Sequence, residues 1–414
     1  MRHISMNYSD LFHKEKSLYE ITDYRSKFYH GNWVKAWLKE VITQAQETEC
    51  NMYETMWKMY THKLEHMPKS LYKFFPFNEN SIKCIEENVV FMNSPDKFND
   101  PFDCLICANE DEFIKKYLLD YFDATNAIRR GILTESEYLK LVYSVTEPPR
   151  HSRYWDIYRG FESVLFHLRW DEEKKMEKEC ADELYQVCRQ ASELYQNTLS
   201  KLRKQTIKVS SFSCLKDEEL LNSMEMWAHY AGNHHGFCVE YDIKADINDM
   251  KELSVILGSL LPCSYGARQI QISNDKLYKY AMQKKFTNYQ KIQSEKSILL
   301  TVLRKSSSWS YEREWRLVLP NDLCSAYGNL IPFFPIRAIY LGCKMPEDNK
   351  EYMYRLAKRK GIIVCNMDLQ EHYFELDSFP VDVNRYFKQK EYYRQKYLND
   401  SDYQYLHDDI LKYL

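Results

Sequence analysis

The sequence predicts an α+β protein whose core, at about residues 69–380, is interrupted by a helical insertion at 110–205. Two patterns predict this class. Short runs of β-branched and aromatic residues alternate in polarity, as strands do, and longer stretches repeat apolar residues every three or four positions, as helices do. The two kinds of segment alternate between Ser70 and Pro380. With only 10 Gly and 12 Pro in 414 residues, we expect few flexible linkers between them.

The first 68 residues predict a helical N-terminal cap. Trp33 and Trp37 lie four apart, as do Met52 and Met56, which is the spacing of one helix face. A packed helix face explains these residues better than a cofactor site does.

The core contains seven predicted strands with helices between them. The strands are LYKFFPF (71–77), VVFMNS (89–94), TIKVSSFS (206–213), GFCVEYDI (236–243), YEREWRLVLP (311–320), RAIYLG (337–342) and GIIVCNMDL (361–369). Each is rich in β-branched or aromatic residues. A long helix is predicted at 274–305 and another at 347–360, and the Tyr-rich tail at 381–414 predicts a further helix.

Composition excludes several classes of protein. The net charge is −3 and no polybasic tract is present, which disfavours a nucleic-acid protein that binds through charge. No apolar run approaches the ~20 residues of a membrane span, and the first residues lack the apolar core of a signal peptide. We therefore expect a soluble, cytoplasmic protein without a membrane partner. Its 12 scattered cysteines fit a reducing compartment.

Two segments raise the question of a metal site. In FNDPFD, the side chains of Asn99, Asp100 and Asp103 surround a proline, and such side chains hydrogen-bond their own backbone in turns. His229, His234 and His235 lie close together, but no HExxH pattern accompanies them. Turn chemistry explains the first segment and a polar loop explains the second, so no metal ligand is predicted in either.

The segment WSYEREWRLVLP (309–320) is the strongest candidate for chemistry. In a strand, Glu312 and Glu314 would point to the same face, and Arg316 would share that face. Two neighbouring carboxylates repel each other, so such a pair is expected only where both are solvated, where a cation pairs with them, or where the protein uses them for chemistry. The first interpretation is an ion ladder with Arg316, and the second is a pair in which one carboxylate tunes the other.

Several of these segments also occur together, in this order, in known proteins. LYKFFPF, FNDPFD, the strand end FS, MWAHYAGNHHGFCVEYD, and WSYEREWRLVLP followed by IRAIYLG resemble an uncharacterised bacterial domain family. The signatures of that family are FNDPFD, W-x-H-Y and Y-E-x-E-W-R. The resemblance covers about residues 70–365 discontinuously and leaves out the cap, the insertion and the tail.

More distantly, the layout resembles the ADP-ribosyltransferase fold, which implies a split β-sheet core and NAD as a substrate. By position, Tyr72 or Lys73 would contact the nucleotide. Ser213 would shape the nicotinamide side. Glu314 would be the catalytic glutamate, with Glu312 as its Glu-x-Glu partner.

The W-x-H-Y helix supplies the remaining candidates implied by this resemblance. Trp227, His229 and Tyr230 would complete the NAD-binding residues, with an aromatic ring stacked on nicotinamide. No Gly-rich phosphate loop is present, which disfavours a Rossmann domain and a P-loop.

The implied function is an NAD-dependent ADP-ribosyltransferase or NAD-cleaving enzyme that acts on a macromolecule, either nucleic acid or protein. Bacterial domains of this kind with helical extensions often act as toxins or phage-defence effectors. A first alternative is a non-catalytic interaction or sensor module, because the Arg or His usual in the first strand is absent. A second is a metal-dependent nuclease, which requires Asp100, Asp103, Glu312 and Glu314 to meet in one place.

Overall fold

The computed structural model describes residues 63–64, 66–124, 174–205, 207–216, 220, 223–244, 256–282 and 299–399. Most of the predicted cap, the middle of the predicted insertion and the end of the tail lie outside these residues.

The described residues form the following strands and helices. The strands are β1 Ser70–Phe75, β2 Val89–Phe91, β3 Ile207–Ser213, β4 Phe237–Asp242, β5 Leu260–Pro262, β6 Ser264–Gly266, β7 Arg304–Ser306, β8 Glu314–Pro320, β9 Leu330–Pro332, β10 Ile336–Leu341, β11 Ile363–Leu369 and β12 Leu376–Pro380. The helices are α1 Glu79–Glu87, α2 Glu110–Ala124, α3 Lys174–Gln205, α4 Met224–Tyr230, α5 Asn274–Ala281, α6 Asn321–Ala326, α7 Glu347–Lys360 and α8 Val383–Asn399. Pro95–Lys97 and Ser307–Glu312 are 3₁₀ helices. The chain is therefore a mixed α+β protein, as predicted.

The chain divides into two compact units. The sheet unit comprises Met1–Asn93, Val209–Cys263 and Ser308–Leu414, and the helical unit comprises Ser94–Lys208 and Ser264–Ser307. Both units are discontinuous in sequence, because the chain leaves the sheet unit and returns to it twice.

The sheet unit is built on a mixed sheet of eight strands in the order β12-β11-β10-β4-β1-β3-β8-β5. β10 and β11 are parallel, while β1 runs antiparallel to both β3 and β4. β4 is in turn antiparallel to β10, and β11 to β12. A separate antiparallel pair joins β2 to β9.

The two faces of the large sheet differ in character. Face A carries the main apolar core, to which Leu71, Phe212, Val239, Trp315 and Leu317 belong. Alternate residues of a strand point to opposite faces, so the residues between these point to face B. Part of face B is covered by a second apolar cluster that contains Phe74, Trp227 and Cys238.

The C-terminal helix α8 docks on α7 through mixed contacts. Lys390 donates a hydrogen bond to the Glu351 carboxylate. The guanidinium carbon of Arg355 lies 5.1 Å from the Phe387 ring centroid, and the Lys358 ammonium lies 5.3 Å from it. Cation–π contacts of this kind let a charged helix pack against a partner.

The helical unit packs α2, α3 and α5 around Phe113. The Phe113 ring lies edge-on to Tyr195 at 5.3 Å and to Tyr278 at 5.4 Å between centroids. In the same unit, β6 and β7 form a short parallel pair. The predicted helix at 274–305 is therefore wrong at its end, because Arg304–Ser306 is a strand.

The predicted strand at 311–320 begins later than its pattern indicated. Ser307–Glu312 is a 3₁₀ helix, and Arg313 adopts a φ of 45°, in the left-handed region. That conformation interrupts an extended chain, so the strand starts at Glu314.

Candidate functional site

The centre of face B carries a row of polar side chains on three adjacent strands. Tyr72 of β1 pairs with Ser213 of β3 on one side and with Glu240 of β4 on the other. Directly paired residues of antiparallel strands point to the same face, with Cα atoms about 4.5–5.5 Å apart. All three side chains are buried. We call Glu240, Tyr72 and Ser213 the polar row.

Glu240 anchors one end of the polar row. Its carboxylate accepts hydrogen bonds from Ser70 Oγ at 2.6 Å and from the Tyr340 hydroxyl at 2.9 Å, and it lies 3.3 Å from the Arg337 guanidinium. Burial, reinforced by the Glu240 charge, raises the pKa of Tyr340. The sequence predicted no role for Glu240. The sequence feature that could have indicated a role is the carboxylate of Glu240, within the otherwise mostly apolar strand FCVEYD.

Glu314 and Arg316 form a buried ion pair on β8, the strand next to β3. Arg316 donates from Nε to Glu314 Oε1 at 2.7 Å and from an Nη atom to Oε2 at 2.9 Å. Because Trp315 and Leu317 belong to the core on face A, Glu314 and Arg316 point to face B. The pair is almost inaccessible, with Glu314 3% and Arg316 0% exposed. This contact agrees, for Glu314, with the first of the two interpretations of the segment, ion pairing with Arg316.

Glu312 is also buried, but strand alternation does not place it. It ends the 3₁₀ helix, and its Oε1 accepts a hydrogen bond of 2.8 Å from the Tyr230 hydroxyl of α4. The predicted shared strand face of Glu312 and Glu314 is therefore wrong, because the left-handed Arg313 separates them. The Glu312 carboxylate is instead positioned by a contact between a helix and a turn.

Lys73 lies on the face opposite the polar row. Its ammonium donates to Ser210 Oγ at 3.1 Å and to the Ser211 carbonyl at 2.8 Å, and lies 5.0 Å from the Phe212 ring centroid. Burial lowers the pKa of Lys73 to about 8, while the charges of Cys84 and Glu314 act in the opposite direction. The register thus brings Tyr72, and not Lys73, to Ser213.

The three candidates from the W-x-H-Y helix occupy different environments. Trp227 is fully buried, donates from Nε1 to the Leu220 carbonyl at 3.3 Å and meets Phe74 edge-on. Its ring is a core element and offers no open surface for stacking. His229 is exposed and Tyr230 half-buried. Of the three, these two have accessible rings.

The turn after α4 is shaped by glycine. A Cβ on Gly236 would lie 2.1 Å from the Phe75 carbonyl oxygen, so only glycine fits there. His234 Nδ1 lies 3.8 Å from Cys343 Sγ, and His235 Nδ1 lies near two carbonyls of its own turn. Burial and the nearby charges of Lys344 and His235 lower the pKa of His234. In the described part of the chain, no group of three or more His, Cys, Asp or Glu side chains is placed to hold a metal ion.

FNDPFD forms a turn in the helical unit, as predicted. Asp100 Oδ1 accepts a hydrogen bond from the Phe102 backbone N–H at 2.8 Å, and Lys305 Nζ lies 3.7 Å from Asp103 Oδ2. Arg203 donates to the Asp103 carbonyl at 2.8 Å, which fixes the turn to α3. Asp100 is thus used by the turn, and both aspartates belong to a different unit from Glu312 and Glu314.

A comparison with protein families adds one finding. Residues 226–317 match the model of a family described as a protein of unknown function, DUF2971. This segment contains both the W-x-H-Y helix and the Glu312–Glu314 segment. No curated protein and no solved structure matches the chain. Among the described helices, none is long and apolar enough to cross a bilayer.

Proposed function

We propose that the sheet unit is an ADP-ribosyltransferase-like domain that cleaves NAD and transfers ADP-ribose to a macromolecule. One observation carries the proposal. The three strands that the resemblance singled out, β1, β3 and β8, are neighbours in the sheet, and they direct Tyr72, Ser213 and Glu314 to one face. Nothing in the local sequence requires strands so far apart in the chain to be adjacent.

The chemistry of NAD cleavage explains why a fixed carboxylate belongs at this position. As the bond between nicotinamide and ribose breaks, its electron pair goes to the ring nitrogen and positive charge develops on the sugar. A carboxylate beside the ribose hydroxyls stabilises that charge more in the transition state than in the ground state. The two hydrogen bonds from Arg316 hold Glu314 in one orientation, so the charge is in place before the reaction.

The residues of face B fit one part of NAD better than another. A carboxylate, a serine hydroxyl and a tyrosine suit the ribose and the nicotinamide ring. Lys73 does not fit the phosphate contact implied for it, because its ammonium is bonded to Ser210 and Ser211 on face A. We therefore assign the nucleotide contact of β1 to Tyr72 alone. This contact requires that NAD binding expose Tyr72, because its side chain is 2% exposed and belongs to the second apolar cluster.

The test is nicotinamide release from NAD, with and without a cell extract that supplies acceptors. We expect Glu314→Gln to lower the rate by about 100-fold or more, the usual cost of losing one electrostatic group in a transition state. Glu225→Gln, which removes an exposed carboxylate from α4, should leave the rate unchanged. Labelled NAD would show whether the acceptor is nucleic acid or protein, as expected of a toxin or defence effector. Equal rates for wild type and Glu314→Gln would refute the assignment.

A second candidate function is a non-catalytic interaction or sensor module of the same fold. The observation in its favour is the Glu314–Arg316 pair itself, because both carboxylate oxygens are bound and the side chain is 3% exposed. A buried pair of this kind also serves to specify a fold. Absence of NAD consumption with any extract would favour this function over the transferase.

A further inference from the structure

Four aromatic rings from two separate segments of the sheet unit lie close together, and one of them, Tyr230, contacts Glu312. His229 and Tyr230 come from α4, and Trp309 and Tyr311 come from the 3₁₀ helix. The His229 and Trp309 centroids are 6.2 Å apart at 65°, and those of Trp309 and Tyr311 are 6.0 Å apart at 39°. His229 and Tyr230 are 6.2 Å apart at 70°. We call these four residues the aromatic cluster.

The aromatic cluster lies at the surface, where Tyr230 also packs against the second apolar cluster. Tyr311 is 39% exposed, His229 is exposed, and the other two rings are half-buried. Trp227, only two residues before His229, shows the contrast, because it is fully buried among apolar side chains. Rings whose purpose is core packing are buried in this way. Accessible rings that meet at an angle instead present walls that a ligand can contact.

A carboxylate lies next to these walls. Glu312 is 3% exposed and accepts a hydrogen bond from Tyr230, one of the four rings. The faces of aromatic rings are electronegative and attract cations, most strongly where water is excluded. A buried carboxylate beside them adds Coulomb attraction in a medium of low dielectric constant. Both terms favour a positively charged ligand.

The kind of cation follows from the same chemistry. The faces of the rings cannot replace the water around a small metal ion. Among the described residues, no third His, Cys, Asp or Glu side chain joins His229 and Glu312 to hold such an ion. The rings therefore favour large, weakly hydrated organic cations. A nucleobase would also stack on such rings, but the phosphates that supply most nucleic-acid affinity are disfavoured beside Glu312 and by a net charge of −3.

We propose that the aromatic cluster and Glu312 bind an organic cation with a quaternary nitrogen. Two sources share this chemistry: a methylated ammonium group and the pyridinium ring of an oxidised nicotinamide nucleotide. Only the second source rests on the proposed function, and the first stands without it.

The test is a calorimetric titration of the full chain with choline, with 1-methylnicotinamide and with 3,3-dimethylbutanol, the neutral isostere of choline. We expect one of the two cations to bind at least about 10-fold more tightly than its neutral counterpart (nicotinamide for the pyridinium), a ratio equivalent to 1.4 kcal/mol. Preference for choline identifies a methylated ammonium, and preference for 1-methylnicotinamide identifies a pyridinium. Nicotinamide release is measured separately, so a loss of cation binding is not confused with a loss of NAD cleavage.

Variants test whether the cluster is the site. Trp309→Leu and Glu312→Gln should each weaken cation binding about 10-fold, whereas Trp309→Phe should retain part of it because a ring remains. Tyr327→Leu removes a tyrosine that is 53% exposed elsewhere in the sheet unit and should have no effect. Thermal unfolding confirms that each variant is folded.

Three results would overturn the proposal. They are equal binding of each cation and its neutral counterpart, unchanged cation binding in Trp309→Leu, and failure of both cations to bind the wild type. Binding of an oligonucleotide that is lost in Trp309→Leu, without any cation binding, would assign the rings to a nucleobase instead.

Discussion

The Glu314–Arg316 pair gives a quantitative test of how face B is held together. Both side chains are almost completely buried, and two charge-assisted hydrogen bonds join them. Removing one partner leaves the other charge buried without its counter-charge, which typically costs about 3–5 kcal/mol. Glu314→Gln keeps the shape and one acceptor oxygen, so we expect a loss near the lower limit, about 3 kcal/mol. Arg316→Met should cost at least as much.

The double variant measures the coupling energy between Glu314 and Arg316 apart from their interactions with other residues. If the two charges stabilise each other, Glu314→Gln with Arg316→Met should lose about 2 kcal/mol less than the sum of the single variants. The assay is urea unfolding followed by tryptophan fluorescence and circular dichroism. Glu87→Gln is the control, because it removes half of an exposed ion pair with Lys83 on α1 and should cost less than about 0.5 kcal/mol.

Strictly additive losses in this cycle would show that the pair is not energetically coupled, and the structural argument would then be wrong. A loss below about 1 kcal/mol for Glu314→Gln would mean that the carboxylate is solvated and not buried. The same measurement supports the kinetic test, because it shows whether Glu314→Gln is still folded under the conditions of the NAD assay.

Two further predictions concern buried polar groups of the sheet unit. The Tyr241 hydroxyl is fully buried and has no hydrogen-bond partner among the described residues, so Tyr241→Phe should raise the free energy of unfolding by about 1 kcal/mol. As a control, Tyr354→Phe removes a 2.9 Å hydrogen bond to Asn366 and should lower the free energy of unfolding. A lower free energy of unfolding for Tyr241→Phe would contradict the argument. Lys63 donates to the Leu257 carbonyl at 2.6 Å, and burial lowers its pKa from 10.5 to about 7. Between these values the unfolded chain binds more protons than the folded one, so stability contributed by this group rises with pH from 7 upward. The free energy of unfolding, measured by thermal unfolding, should therefore increase less from pH 7 to pH 9 for Lys63→Met than for wild type. Equal increases would refute the lowered pKa of Lys63.

The sequence pattern was sufficient for the longer strands of the sheet unit, but it missed the short strands β5 and β9, the strand β12 and the short helix α6. Strands such as RAIYLG and GIIVCNMDL carry their apolar alternation in a few adjacent residues, so their type can be predicted locally. The same holds for the FNDPFD turn, whose Asp100 side chain bonds to a backbone group two residues away. These features depend on neighbours in the sequence.

The candidate site depends on distant residues, and the prediction was correspondingly poorer. The alternation rule failed at Glu312 because a single left-handed residue, Arg313, ends the 3₁₀ helix before the strand begins. A non-glycine residue in that conformation has little local signal. The choice between Tyr72 and Lys73 could be made only once the register with Ser213 was known. Glu240 was overlooked because its donors, Ser70 and Tyr340, are distant in sequence.

The order of strands in the large sheet also determines when the protein can fold. β1 lies between β4 and β3, and β4 lies between β1 and β10, so no strand at the centre has a sequence neighbour as its partner. Such long-range pairing slows folding, and the apolar β1 remains unpaired on the ribosome until β3 and β4 have been synthesised. A chain that stops before Ile336 would leave the hydrogen-bonding edge of β4 open and prone to aggregation. Shortened versions of the protein must therefore retain β10 to β12, even where only the segment 226–317 is of interest.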